Sequence, residues 1–227
     1  MQGWAMGRPL LNPALFGVMT IACAIAAIAP FDVMFSAISF GSVFVRVAVM
    51  ALVVLLGWKA ACKVGLRLEG HGAEHPALVG IAAAIIVAVC IIVIDCYLFR
   101  SLLAPKIVQS IQQPVILRLA YFMLRAFNEN VIYRLFVFSV LVLALTRLRI
   151  ASPQTVAAAM VVTQCINIGL NIPAEEASMP LLFYYALRYL APGVLWAWLY
   201  LRFGFKTAEI ASVGCHVFLQ PMFSVFF

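Results

Sequence analysis

Charge is what this sequence has least of. Of its 227 residues, 15 are Lys or Arg and 8 are Asp or Glu, so 10% are charged against 66% hydrophobic, and the mean hydropathy is +1.11. A water-soluble domain carries about 25% charged residues, and this balance excludes one. Histidine is rarer still: His71, His75 and His216 are the three, too scattered to supply a zinc site, so no metal is expected. The six cysteines, Cys23, Cys62, Cys90, Cys96, Cys165 and Cys215, include no CxxC pair. They read as small apolar residues of spans and not as a disulfide frame. Haem, flavin and nucleotide signatures are missing, as are internal repeats and low-complexity linkers, so no cofactor and no second domain are expected. The formal charge of +7 is spread between apolar runs and not gathered on one face or tail, which argues against a nucleic-acid partner.

Apolar runs are abundant: 15–29, 43–58, 77–99, 116–146, 155–170, 181–201 and 207–227. At about 20 residues per span they predict an all-α polytopic transmembrane helical bundle of about seven or eight spans, one membrane-embedded domain over residues 1–227 with lipid as its surroundings. Taken alternately, one set of loops carries Arg8, Lys59, Lys63, Arg67, Arg147, Arg149, Arg202 and Lys206. The other carries Asp32, Arg100, Lys106, Glu175 and Glu176. Eight Lys and Arg against two place the amino terminus in the cytoplasm. The expected location is an integral protein of a bacterial inner membrane. The first run has Arg8 ahead of it and an A-x-A end at Ala27, Ile28 and Ala29, as a signal peptide would, but Pro30 argues against cleavage and predicts a retained helix.

The fourth run is longer than a bilayer requires. One helix over 114–147 would reach about 50 Å at about 1.5 Å per residue, against a hydrocarbon core of about 30 Å. The preceding stretch, 101–113, carries Lys106, Gln109, Gln112 and Gln113 among apolar residues. It reads equally as a helix in the headgroup region, bracketed by Pro105 and Pro114, or as a connecting loop.

Within the fourth run stand Arg125, Asn128, Glu129, Asn130 and Arg134. A charged residue at mid-membrane costs about 2.5 to 3.5 kcal/mol even on lenient scales, so an acid beside a base there marks a functional site by default. Arg125 and Glu129 are four apart, as are Asn130 and Arg134, which predicts an Arg125–Glu129 pair and an Arg134–Asn130 bond. Interhelical glue is the plainer alternative, but Ser or Thr would do that for less. The fifth run adds Thr163, Gln164, Asn167 and Asn171, the last three on one helical face. The last run adds His216 and, one turn on, Gln220. An acid, an imidazole and several amides meeting between helices make a reactive pocket or an ion path.

These residues also carry a resemblance. The run from Phe127 to Phe136, with Glu129, Asn130 and Arg134, resembles the EExxxR signature of the CPBP family, the CAAX-protease and bacteriocin-processing intramembrane glutamic endopeptidases. Asn167-Ile168-Gly169-Leu170-Asn171 stands where that family has FxxxH. The tail from Trp198 through Gly204 to His216 and Gln220 is similar to its closing basic turn and HxxxN or HxxxD helix. The likeness covers about residues 115–227. Glu129, Arg134 and His216 match, while the second Glu is Asn130, the middle Phe and His are Asn167 and Asn171, and the final Asn or Asp is Gln220. The resemblance implies a peptidase acting on a membrane-associated or lipidated peptide or protein, with Glu129, Asn171 and His216 catalytic and Asn130, Arg134, Asn167 and Gln220 supporting the oxyanion. In the family the first Glu and the middle His activate water, so losing that His leaves Glu129 with amide help only. Two other readings of the same pocket are an inactive family member that binds a hydrophobic segment or a partner membrane protein, and a small proton-coupled transporter. A cysteine peptidase fits less well, because Cys215 and His216 are adjacent and point about 100° apart, which leaves only Cys165.

Overall fold

The computed structural model describes residues 12–28, 42–69, 72–103, 108–109, 111–171 and 178–227. Arg8, Ala29, Pro30, Asp32, His71, Pro105, Lys106, Glu175 and Glu176 lie outside them. Among the described residues there are seven long helices and no strand. They are α1 (Pro13–Ile28), α2 (Val43–Lys63), α3 (Pro76–Leu98), α4 (Val115–Arg147), α5 (Pro153–Asn171), α6 (179–203) and α7 (Phe205–Phe226). Each apolar run of the sequence falls on one of them. Four, α2, α3, α4 and α7, are long and apolar enough to cross a membrane, and α1 is a shorter apolar helix. The chain is an integral membrane protein. Of the stretch 101–113, the structure describes a 3₁₀ turn at Arg100–Leu102 and helical residues at 108, 109 and 111.

Local chemistry sets the boundaries. At the end of α2, Gly65 takes φ +77° and the Leu66 N–H returns to the Ala61 carbonyl at 3.0 Å, a glycine-closed helix end. Arg149 takes φ 59° to close α4 in the same way. Ser152 and Thr155 then cap each other's backbone N–H groups at 2.8 and 3.2 Å, and Pro153 starts α5 where no N–H is needed. Between α6 and α7, Gly204 takes φ +97°, and a Cβ there would collide with the Glu69 backbone. The Arg67 and Leu68 carbonyls receive the Phe205 and Lys206 N–H groups at 2.9 and 2.8 Å, satisfying the start of α7.

The helices alternate in direction. α3 and α7 run parallel: Gly80 lies against Thr207 and Ile210 near both beginnings, and Tyr97 meets the Phe226 ring at 6.4 Å near both ends. α4 runs against α7, joined by Asn130–Glu209 and by Arg118 with the Gln220 carbonyl. α5 runs against α4, joined by Arg134–Gln164 and Tyr133–Asn171. α2 crosses α4 closely at Gly57, where a Cβ would stand 2.7 Å from the Leu135 carbonyl oxygen. Arg67, Arg202 and Lys206 therefore gather at the end where α3 and α7 begin. The 33-residue α4 is the axis of the bundle. Its Val131, Tyr133, Leu135 and Phe138 are buried in the main core with Tyr200 and Phe205.

Three helices loosen into π-helical turns: Ile94–Leu98 in α3, Val131–Phe138 in α4 and Ala186–Leu190 in α6. Each carries a charged residue, Asp95, Arg134 and Arg188 respectively. A π turn shifts the hydrogen bonds to i→i+5 and re-aims the side chains that follow.

Candidate functional site

A cavity of about 480 Å³ opens between α3, α4, α5, α6 and α7. Glu129, Asn130 and Arg134 reach it from α4, Gln164, Asn167 and Asn171 from α5, and His216 and Gln220 from α7. The catalytic and supporting residues expected from the sequence therefore share one space, while Asn128 and Thr163 are buried away from its walls. Much of the remaining wall is apolar, with Val87 and Ile91 from α3 and Leu219 and Phe223 from α7, while Arg125 and Ser212 add polar groups. Arg188 of α6 also lines it.

Glu129 pairs with Arg125 as the four-residue spacing predicts: Arg125 Nε donates to Glu129 Oε1 at 2.6 Å. The two side chains keep 28% and 22% exposure, so the pair faces the cavity and is not sealed in the core.

The expected Arg134–Asn130 bond is not made. Arg134 Nη2 donates to Gln164 Oε1 at 2.6 Å and to the Gly193 carbonyl at 3.3 Å, which ties α4 to α5 and α6. Asn130 turns the other way, and its Nδ2 donates to Glu209 Oε2 at 3.3 Å. The cause is the π turn beginning at Val131, because the four-residue rule holds only for an unbroken α-helix.

The α5 amides form a continuous chain. Asn171 Nδ2 donates to Asn167 Oδ1 at 2.8 Å and to Tyr133 Oη at 3.0 Å. Gln164 Oε1 accepts from Arg134 as above, with Asn167 Nδ2 at 3.5 Å, and Gln164 Nε2 donates to the Tyr189 carbonyl at 3.0 Å. Gly193 permits this, since any Cβ there would overlap the Gln164 carboxamide. His216 stacks on Phe122 with ring centroids 5.4 Å apart, and its Nδ1 has no hydrogen-bond partner among the described residues. Gln220 is buried beside the cavity, and its carbonyl accepts from Arg118 Nη2 at 3.1 Å.

Two acids outside the sequence-predicted set stand behind the cavity wall, each against a residue that lines it. Glu209, in the first turns of α7, is buried against Asn130. Asp95, with 0% exposure, meets Arg188 Nη2 at 2.9 Å. The signal was present in both cases: an acid inside an apolar run carries the same cost as Glu129. Among the described residues, no three His, Cys, Asp or Glu side chains gather as metal ligands. Comparison with protein-family models, curated proteins and solved structures gives no match, so the likeness to the CPBP peptidases rests on the residues that carry it.

Proposed function

We propose that the chain is an intramembrane glutamic-type endopeptidase of the CPBP kind, hydrolysing a membrane-associated or lipidated peptide or protein. The observation that supports this reading is the shared cavity, lined together by a partly exposed carboxylate, an imidazole and a row of amides in a largely apolar surround. In the proposed chemistry Glu129 takes a proton from water as the water oxygen adds to the peptide carbonyl. His216 and Gln220 donate to the resulting oxyanion, and Arg125 holds the Glu129 carboxylate in place through its bond to Oε1. Glu129 then returns its proton to the leaving nitrogen as the C–N bond breaks. Asn171, in the place of the family's histidine, orients the water but transfers no proton.

A second reading has its own support. The Asn171 and Gln164 amides are engaged by Tyr133, Asn167, Arg134 and the Tyr189 carbonyl, as a wall built for shape would be. That favours a binding protein for a hydrophobic segment. Glu129→Gln separates the two. Purified protein in nanodiscs is given a library of membrane-embedded and lipidated peptides over a broad pH range, and cleavage by the parent should vanish in Glu129→Gln. Identical products from both proteins, or none from the parent, favour the binder.

A further inference from the structure

The first half of α6 does not belong to the main core. Its buried Leu181 and Tyr184 form a separate small cluster with Ile94 at the end of α3. Trp196, Ala197, Leu199 and Tyr200 of the second half sit in the large core. The outer face of the first half is bare, with Met179, Leu182 and Phe183 at 66, 50 and 59% exposure, a surface suited to lipid. Between the halves come the π turn Ala186–Leu190, Pro192 and Gly193, which lack the regular hydrogen-bond ladder or the side-chain bulk that would stiffen the junction. One buried ion pair crosses the seam: Arg188 meets Asp95 at 2.9 Å while its guanidinium lies over the Tyr189 ring at 5.0 Å. Arg188, Tyr189, Pro192 and Gly193 all line the cavity. The wall between cavity and bilayer on this side is therefore a segment held by a small apolar seal, the Asp95–Arg188 pair towards α3 and the Gln164–Tyr189 carbonyl bond towards α5.

From this geometry we infer that residues 179–190 form a lateral gate, hinged at Pro192–Gly193 and latched by Asp95–Arg188, which opens the cavity to the bilayer between α3 and α6. The ligand it admits is one dissolved in the membrane and presenting an apolar body, not one arriving from water. The inference uses the cavity without depending on the peptidase reading, because a binder needs the same access.

Cys215 supplies the reporter, being buried at 3% exposure on the cavity wall. With the five other cysteines replaced by Ala, its labelling in nanodiscs is timed with a neutral, bilayer-partitioned maleimide and with a charged, water-confined thiosulfonate. Asp95→Asn and Arg188→Gln should each speed labelling by the neutral reagent about tenfold or more, because removing one partner of a buried pair favours the open state. The exchange Asp95→Arg with Arg188→Asp should restore slow labelling. Leu181→Ala loosens the same seam without stranding a charge, and it should accelerate labelling even if Asp95→Asn fails to fold. Parent-like rates in Leu181→Ala and the folded latch variants, or equal acceleration of the charged reagent, would overturn the lateral gate.

Discussion

Gly193→Ala tests how the polar wall is built. The added methyl would overlap the Gln164 carboxamide. Gln164 cannot yield without loss, since it holds Arg134 at 2.6 Å and the Tyr189 carbonyl at 3.0 Å. Overpacking costs about 1 to 3 kcal/mol. A lost bond to a charged group adds about 1.5 to 3 kcal/mol in water-soluble proteins, while intramembrane hydrogen bonds average nearer about 0.6 kcal/mol. The expected destabilisation is therefore about 2 to 5 kcal/mol, centred on about two and a half decades in the unfolding constant. Reversible unfolding in mixed micelles, followed by tryptophan fluorescence, measures it. Trp196 shares the cavity wall and should respond. A cycle with Gln164→Ala sharpens the result: in that background the methyl enters vacated space, so Gly193→Ala should cost under about 1 kcal/mol. Additive effects of the two changes, or a single-variant cost within about 0.5 kcal/mol, would refute the packing argument.

Cysteines placed at Ser178 and Gln154, in a background without native cysteines, should report opposite sides of the membrane in intact cells. An impermeant maleimide should label position 178 directly and position 154 only after permeabilisation, and the reverse pattern would invert the proposed orientation. The Asp95–Arg188 and Arg125–Glu129 pairs should differ in stability: Asp95→Asn should cost about 3 to 5 kcal/mol, with much of it recovered by adding Arg188→Met. Glu129→Gln should cost about 1 kcal/mol or less, because its pair lies on one helix and is partly exposed. Equal losses in thermal unfolding would contradict this ranking.

The helices were legible because bilayer burial imposes one requirement, a run of apolar residues, and every run found became a helix. The site was legible where local spacing decides: Arg125–Glu129 formed, and the Gln164, Asn167 and Asn171 face of α5 turned inward as an unbroken α-helix requires. It was not legible where an α-helix gives way to a π turn. Arg134 left Asn130 for Gln164 because the turn starts between them, and no residue between 130 and 134 announces it. Asp95 and Arg188 lie on helices far apart in sequence, so only the fold could bring them together. Glu209 follows the basic turn at Gly204 by five residues, and only the antiparallel packing of α7 on α4 sets it against Asn130.

The bonding pattern also decides where functional tests carry meaning. Arg134 is bound to α5 and α6, Asn171 to Tyr133 on α4, and Gln164 to both α4 and α6. Each is a brace as well as a cavity wall, and replacing any of them changes the bundle and the site together. Glu129 bonds within its own helix, and His216 rests on Phe122 with Nδ1 unclaimed among the described residues. Buried polar groups that contribute little to holding helices together still carry their desolvation cost, and such a cost is best accounted for by what the group does to a ligand. Loss of function in Glu129→Gln or His216→Ala, with folding retained, would therefore report on chemistry in the cavity, whereas the same loss in Arg134→Met would report on little beyond the loss of a brace.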